Sequence, residues 1–315
     1  FFALYANIDK WSPALARPEG RSRDELDRWI LSRLNSTVRD VRADLEAFDL
    51  TRATRRIQNF VIEELSNWYV RRNRRRFWQS GDSADKQHAF LTLWTVLETV
   101  SRLIAPFTPF LAEELYRNLT AGEGFAMPES VHLTSYPSAD ESLIDSALER
   151  KMEDAISLVT LGRAARNRTK IKVRQPLGAM LVSLPHSLED EELASISPVI
   201  SEEINVKRIE PISDAYDYVT LNVKPNFKLA GPKFGGRVKE LGRALAAMSQ
   251  EEIRLFREQG TVELASEDGP LSVALEDVEL RSEDREGYVV ELYDGYGVVL
   301  DTRLNKDLIE EGYAR

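Results

Sequence analysis

Apolar residues recur at intervals of three or four positions in four stretches of the first 120 residues. The first stretch contains Leu26, Trp29, Ile30, Leu34, Val38, Val41 and Leu45, the second Ile57, Val61, Leu65 and Trp68, and the third Phe90, Leu93, Trp94, Leu97, Val100 and Ile104. The fourth covers residues 109–119. This spacing places each set on one face of an α-helix. Because the connections are short, we expect an antiparallel helical bundle.

Residues that favour helix starts precede these stretches. The expected N-caps are Ser22 or Asp24, Asp49, Ser83 and Thr108, the last with Pro109 in the first helical position. A connector rich in glycine and proline follows at residues 121–139, in which residues 131–133 are expected to be extended. A fifth helix is expected at about residues 140–167.

The pattern changes after the fifth helix. Strands are expected at residues 179–182, 206–209, 218–223, 262–265, 273–275, 287–293 and 297–301, and helices at 189–195, 235–248 and 249–258. The predicted fold class is therefore α+β multidomain: an N-terminal antiparallel α-helical bundle followed by a mixed α/β C-terminal domain.

Composition adds a division of charge along the chain. The 315 residues are 43% hydrophobic and carry a formal charge of −10, which argues against a protein that coats nucleic acid generally. Residues 21–80 nevertheless hold fourteen arginines against nine acids, a net charge of +5, whereas residues 249–315 hold eighteen acids against seven basic residues, a net of −11. Any polyanionic partner is therefore expected to meet the first part of the chain.

The chain has no cysteine and three histidines far apart in sequence. Disulfides and thiolate metal sites are thereby excluded within it, and the histidines are expected to be surface or packing residues. No apolar stretch has the length of a membrane span. Residues 1–5 start as though within an element and residues 307–311 stop within a helix pattern, so we interpret the chain as a piece of a larger one.

The most unusual stretch is residues 67–78, which contains five arginines in six positions. At 100° per residue, the face of Ile57 and Trp68 continues to Arg72, Arg75 and Arg76. Guanidinium groups beside buried surface need carboxylates, water or a polyanion as partners. Arginine side chains flanked by aromatic rings are suited to bind phosphates and nucleic-acid bases. The alternative is a solvated face whose arginines bond to the carboxylates of a neighbouring domain.

Two further basic patches follow. One has Arg163, Arg166, Arg168, Lys170, Lys172 and Arg174 without an intervening acid, and the other has Lys224, Lys228, Lys233, Arg237 and Lys239 around Phe227. Residues 231–237 resemble a phosphate-binding turn before a helix but lack the lysine–serine/threonine ending of a P-loop. Candidate base readers are Asn67, Asn73, Asn167, Gln175 and Asn226, each of which also suits a turn.

The sequence contains no arrangement typical of a catalytic site. A nucleophile elbow, a P-loop, a zinc-protease motif, an EF-hand and a dinucleotide fingerprint are all absent. The adjacent acids at residues 63–64 and 113–114 lie on helices beside basic residues, where structural pairing is expected. Basic patches with interleaved aromatics favour RNA binding over catalysis, and no nucleophile–base arrangement supports a separate hydrolase.

Several stretches together resemble the C-terminal portion of class I isoleucyl-tRNA synthetases of the eukaryote-like bacterial type. They are residues 1–11, 27–34, 67–78, 104–116 and 171–177, and residues 223–229 with 231–235 are similar to the C-terminal extension of that subgroup. Residues 29–34 and 106–110 also resemble valyl and leucyl enzymes. Residues 71–78 (RRNRRRFW) and 171–177 (IKVRQPL) resemble the isoleucine family more specifically.

The resemblance implies three regions. Residues 1–20 would end the connection to a catalytic domain, residues 21–177 would form the anticodon-binding bundle, and residues 178–315 would form an α+β junction domain. The HIGH and KMSKS signatures of the family and its editing domain do not occur in this sequence. The implied role is to hold the anticodon stem-loop of isoleucine tRNA while a catalytic domain outside this chain joins isoleucine to it with ATP and Mg²⁺.

The expected RNA contacts follow from the basic patches and the resemblance. They are Arg71, Arg72, Arg74, Arg75, Arg76, Trp78, Arg166, Arg168, Lys170, Lys172, Arg174, Lys224, Phe227, Lys228 and Lys233. No catalytic residue, metal ligand or cofactor is expected in this chain. The expected partners are isoleucine tRNA and the catalytic and editing domains of the same full-length chain, in a cytoplasmic monomer without membrane contact. The alternative is a scaffolding module that packs on the catalytic body without binding tRNA by itself.

Overall fold

The computed structural model describes residues 1–13, 20, 22–81, 83–120, 127–186, 190–266 and 269–314. The chain forms two compact units, Phe1–Met152 and Glu153–Arg315. The first is helical and the second is rich in strands, in agreement with the predicted α+β class. The predicted region boundary at residues 177–178 remains a prediction, because compactness alone does not define it.

The first unit consists of helices joined by short turns. The helices are α1 (Phe2–Ile8), α2 (Glu25–Glu46), α3 (Leu50–Asn59), a π-helical segment (Phe60–Val70), α4 (Arg71–Trp78), α5 (Ala84–Ile104), α6 (Pro109–Thr120) and the beginning of α7 (Ser146–Thr169). Val38 and Val41 of α2 pack with Ala53 and Ile57 of α3 and Leu103 of α5 in one buried cluster. The packing of these three helices brings together the apolar faces that the sequence predicts.

The predicted helix starts are confirmed. The side chains of Asp24, Asp49 and Ser83 accept hydrogen bonds from the backbone N–H groups of the third residue after each, at 3.1, 2.9 and 3.2 Å. Each bond satisfies an N–H that has no partner within its helix. Helix α6 begins at Pro109, as expected.

The long helix from Leu50 to Trp78 changes its hydrogen bonding in the middle. Helices α3 and α4 flank the π-helical segment, in which each N–H bonds five residues back instead of four. A turn of that segment therefore contains more residues than the 3.6 of an α-helix. The assignment of helix faces from the sequence assumed 3.6 residues per turn along the whole helix. Residues after the π-helical segment therefore lie on different faces from those assigned.

The shift in register decides what the start of α4 buries. Asn73 and Phe77 continue the buried face that begins with Leu65 and Tyr69. Of the three arginines expected on this face, Arg75 is exposed, which contradicts the expectation, whereas Arg72 and Arg76 are partly buried. Leu65, Tyr69, Asn73 and Phe77 are spaced by four residues, whereas the buried residues Ile57, Phe60, Glu64 and Trp68 keep the spacing of three and four read from the sequence.

The segment between α6 and α7 also differs from expectation. Residues Val131–Leu133 form a single 3-10 turn capped by Ser130, not an extended piece. The fifth helix begins at Ser146, after another 3-10 turn at Glu141–Leu143. Residues 121–126 of the predicted connector lie outside the described residues.

The described residues of the second unit form three sheets. The strands are β1 (Leu177–Ser183), β2 (Val206–Pro211), β3 (Val219–Pro225), β4 (Thr261–Leu264), β5 (Leu271–Ala274), β6 (Val278–Asp284), β7 (Tyr288–Tyr293) and β8 (Tyr296–Asp301). The largest sheet has the order β2-β1-β8-β7, with β1 parallel to β2 and antiparallel to β8. Strand β3 pairs with β6 and β4 with β5, both antiparallel. All the predicted strands are present, and β6 was not predicted.

The helices of the second unit surround these strands. They are the remainder of α7, α8 (Asp190–Ile204), α9 (Phe227–Phe234), α10 (Val238–Ala246), α11 (Gln250–Gln259) and α12 (Lys306–Ala314). Helix α8 extends beyond the predicted end at residue 195. Residues 231–234 belong to α9, which contradicts the predicted turn there, and only Gly235–Arg237, with φ of 52° at Gly235, form a turn before a helix, α10. Phosphate binding at this turn remains a prediction. None of the helices among the described residues is both long and apolar enough to cross a membrane.

Candidate nucleic-acid interface

Arg76, one of the predicted RNA contacts, is bound by three aspartates. Its guanidinium forms two parallel bonds of 2.9 Å with the carboxylate of Asp27, which is fully buried. It also lies 2.7 Å from Asp85 Oδ1 and 3.3 Å from Asp24 Oδ1. With its donors directed at carboxylates and its side chain 12% exposed, Arg76 joins α2, α4 and α5, and the geometry favours a structural role.

Tyr69 completes this buried cluster. Its hydroxyl donates to Asp27 Oδ1 at 2.6 Å. Burial raises the pKa of the Tyr69 phenol well above its ordinary value, and the Asp27 carboxylate adds to this effect. Burial also raises the pKa of Asp24, against the attraction of Arg76. The phenol is therefore held neutral as a donor at neutral pH.

The raised pKa of Tyr69 predicts a loss of stability at alkaline pH. A phenol whose pKa is higher in the folded state contributes stability below its unfolded pKa of about 10, and this contribution is lost as pH rises. The free energy of unfolding should therefore fall more steeply above about pH 10 in the parent than in Tyr69→Phe. Urea unfolding of both proteins between pH 8 and 11 measures the difference, and parallel pH profiles would contradict the assignment.

The other arginines of α4 differ from Arg76. Arg71 and Arg72 are half-buried, with guanidinium carbons 5.9 and 5.4 Å from the ring centre of Trp68, and Arg71 Nε donates to the carbonyl of Asn67 at 2.8 Å. These distances are within the range of cation–π attraction. Trp68 thus holds both side chains along the helix.

Arg74 and Arg75 are exposed, and within the described ranges neither forms an ion pair. Trp78, one turn further, is 56% exposed and lies 6.4 Å from the ring of Tyr5. Two guanidiniums with open donors beside an exposed indole can bind phosphate and stack on a base. Of the five arginines in this stretch, Arg74 and Arg75 have the guanidinium groups that are most accessible to a ligand.

In the second unit, Arg166 is buried rather than open to a ligand. It is 1% exposed, and it donates to the carbonyls of Lys172, Gln175 and Asn205 at 3.1, 3.0 and 3.0 Å. Burial lowers its pKa to about 10. The part of the chain that the structure describes offers it no carboxylate, so the guanidinium acts as a donor that fixes the loop before β1. This geometry favours a structural role over the predicted RNA contact.

The remaining predicted contacts of the second unit fall into two groups. Arg168 is paired with Asp284 and with Glu291 at 3.3 Å, and Lys233 is paired with Asp277. The others are exposed: Phe227 and the five basic residues Lys170, Lys172, Arg174, Lys224 and Lys228. None of these five basic side chains forms an ion pair with a residue in the described ranges. Their roles in RNA binding remain predictions.

The sequence-based reasoning assigned no role to Asp27. An acid between Leu26 and Trp29 on an apolar helix face is the signal that could have pointed to a buried partner for an arginine. No group of three or more histidine, aspartate or glutamate side chains among the described residues is arranged to hold a metal ion.

Comparison with known proteins defines the class. A family model described as "Anticodon-binding domain of tRNA ligase" matches residues 27–181, which include the arginine stretch and the Arg166 loop. The part of the candidate interface within residues 27–181 therefore lies in a region that matches a tRNA ligase anticodon-binding domain, and Lys224, Phe227, Lys228 and Lys233 lie outside the match.

Comparison of the full chain with known proteins identifies the family within this class. The chain is 42% identical over 318 residues to isoleucine–tRNA ligase of Porphyromonas gingivalis, 42% over 317 residues to isoleucine–tRNA ligase 2 of Bacillus cereus, and 40% over 316 residues to isoleucine–tRNA ligase of Thermus thermophilus. Each match covers 100% of this chain but 27–30% of the relative. The chain belongs to the isoleucine–tRNA ligase family and spans less than a third of the length of these relatives.

Proposed function

We propose that this chain is the region of an isoleucine–tRNA ligase that binds the anticodon stem-loop and positions isoleucine tRNA for ATP-dependent aminoacylation by a catalytic domain outside this chain. Residues 1–20 would end the connection to that domain, residues 21–177 would form the anticodon-binding region, and residues 178–315 would form a junction domain. ATP and Mg²⁺ would act in the catalytic domain. This chain alone would be inactive in aminoacylation, and the full-length ligase would work as a cytoplasmic monomer.

The observation that carries the proposal is the exposed part of α4. Arg74 and Arg75 present guanidiniums that form no ion pair with any other described residue, and the exposed ring of Trp78 follows within one turn. Exposed guanidinium groups of this kind bind phosphates, and exposed indole rings stack on bases. In the second unit, Lys170, Lys172, Arg174, Lys224, Phe227 and Lys228 would add contacts to the same RNA.

The test is fluorescence anisotropy of the chain with labelled isoleucine tRNA, and with the same tRNA carrying a changed anticodon, over a salt series. We expect tighter binding of the native anticodon. The double variant Arg74→Gln/Arg75→Gln should bind both tRNAs on the order of a hundredfold more weakly, because hydrogen bonds to charged groups contribute roughly 1.5–3 kcal/mol each and about 1.4 kcal/mol changes affinity tenfold. Its salt dependence should fall by about one unit for each phosphate that is no longer bound.

The matched control is Arg281→Gln, which removes an exposed charge paired only locally with Glu279. It should leave affinity and salt dependence unchanged. Binding without anticodon preference would limit these arginines to the RNA backbone, with identity determined elsewhere in the ligase. Equal affinity of the parent and the double variant at every salt concentration would remove Arg74 and Arg75 from the interface.

The second candidate function is a scaffolding module that packs on the rest of the ligase. Leu4 and Ile8 lie one turn apart on α1 and are 59% and 65% exposed, which leaves an apolar stripe open on this helix. Failure of the chain to bind tRNA at any salt concentration, together with binding to a separately expressed catalytic domain that is lost in Leu4→Ser/Ile8→Ser, would favour this function.

A further inference from the structure

Phe48 occupies the position of a helix-terminating turn that normally belongs to glycine. At the end of α2, the N–H of Asp49 donates to the carbonyl of Asp44 at 2.8 Å, and the N–H of Phe48 donates to that of Leu45 at 3.0 Å. This pair of bonds defines a Schellman motif, in which the residue at the position of Phe48 adopts a left-handed conformation. Phe48 has φ of 59°, which strains a residue with a bulky side chain.

Packing of the Phe48 side chain does not offset this backbone strain. It is 90% exposed, so its ring gains almost no burial within the described chain. An exposed aromatic ring and a strained backbone at one residue both lower stability, and glycine would avoid both. Residues held in such conformations cluster at ligand-binding positions. The turn therefore has a feature that folding does not explain and that a bound ligand would.

Two arginines with available donors follow Phe48 on the first two turns of α3. Arg52 is 63% exposed, and its nearest carboxylate oxygen, on Asp44, is 3.4 Å away. That carboxylate is bound more closely by Arg56, at 2.6 Å. Arg55 is exposed and forms no ion pair with any residue in the described ranges. Both side chains can therefore turn to an anion without breaking a close ion pair.

These arginines face a cavity of about 380 Å³ between α2 and α3. Its wall includes Arg33, Thr37, Arg52, Arg55, Arg56 and Asn59, and two carboxylates. The carboxylates already pair with Arg33 and Arg56, at 2.9 and 3.3 Å, which fixes those two arginines as part of the wall. The π-helical segment starts immediately after Asn59, and π-helical insertions are frequent at functional sites.

We propose that Phe48, Arg52 and Arg55 form a binding site for one unpaired nucleotide of RNA. The ring of Phe48 stacks on the base, while Arg52 and Arg55 bind the adjoining phosphates at the mouth of the cavity. Phe48 precedes Arg52 and Arg55 by four and seven residues, and exposed aromatic rings combined with cations are what proteins use to bind single-stranded nucleic acid. This site rests on the tRNA binding proposed above, and it extends the RNA contact to the end of α2 opposite the Asp27–Arg76 cluster.

The test compares Phe48→Gly with Phe48→Ala in the whole chain, by anisotropy with labelled isoleucine tRNA and by thermal unfolding. Both variants should bind tRNA about fivefold or more weakly, the range found for loss of one stacking contact. Phe48→Gly should in addition raise the Tm by about 2–4 °C, because glycine relieves the left-handed strain in a unit of this size. Phe48→Ala keeps the strain and should not raise it.

A second pair of variants tests the phosphate contacts. Arg52→Gln/Arg55→Gln should weaken binding and lower the slope of log affinity against log salt by roughly 0.7 for each single-strand phosphate that is no longer bound. The controls Tyr293→Ala and Arg281→Gln remove an exposed ring and an exposed charge in the second unit and should bind as the parent does.

The outcomes separate this site from the proposed function. A parent that binds tRNA while both Phe48 variants and the arginine pair match it would overturn the nucleotide site and leave the proposed function intact. A parent that does not bind tRNA would overturn the proposed function of the chain, and the nucleotide site with it. A higher Tm of Phe48→Gly together with weaker binding would support the site.

Discussion

Replacing Arg76 with methionine should lower the free energy of unfolding by about 3–5 kcal/mol, the range for removing one partner of a buried ion pair. Asp27 would remain fully buried without the guanidinium that now bonds both of its oxygens. Methionine keeps most of the side-chain volume, so the loss reports the missing charge and hydrogen bonds rather than a cavity. Urea unfolding at neutral pH measures it.

Arg75→Met is the matched control for this prediction. Arg75 belongs to the same helix turn but is exposed, and such substitutions usually change stability by less than about 0.5 kcal/mol. The double variant Asp27→Asn/Arg76→Met removes the buried charge as well and should be more stable than Arg76→Met alone. Equal stability of Arg76→Met and the parent would show that the aspartates are satisfied without the arginine.

The second large effect is expected at Arg166. Arg166→Met should lower the free energy of unfolding by on the order of 3 kcal/mol, because an unsatisfied buried polar group costs about 1–3 kcal/mol and three carbonyls lose their donor. Relief of the buried charge, whose pKa is lowered to about 10, offsets part of this loss. Chemical denaturation of the whole chain, followed by a probe in the second unit, measures the change.

Arg174→Met provides the control for Arg166, since Arg174 lies in the same segment and is exposed. It should leave stability nearly unchanged and reduce the salt dependence of tRNA binding if the predicted phosphate contact is made. Arg166→Lys should recover little stability, because an ammonium group cannot reproduce the planar fork that reaches three carbonyls. A stable Arg166→Met variant with weakened tRNA binding would restore Arg166 to the predicted interface.

These two arginines change the set of candidate contacts. The charge pattern of the sequence grouped Arg76 with Arg74 and Arg75, and Arg166 with Lys170 and Lys172. In the structure, Arg76 and Arg166 direct their donors at carboxylates and carbonyls of the chain itself, whereas the others remain exposed. A mutational study guided by sequence alone would confuse a loss of folding with a loss of RNA binding at both positions.

Much of the fold could be predicted because its causes are local. Asp24, Asp49 and Ser83 each cap the helix that follows them, and a cap depends on residues only three positions away. Strands β1, β3 and β8 were visible as short apolar runs. The π-helical segment was not predicted, since its altered hydrogen bonding depends on how α3 and α4 pack, and it moved Asn73 and Phe77 onto the buried face.

The sequence by itself determined the α+β class, the helix starts, most strands and the resemblance to the isoleucine–tRNA ligases, because these depend on local spacing and on recognisable motifs. Only the tertiary structure decided which cations remain available. The partner of Arg76 is 49 positions away at Asp27, and a partner of Arg166 is 39 positions away at Asn205. Contacts across such separations depend on the packing of whole helices and strands, and the pattern of charges along the chain does not encode them.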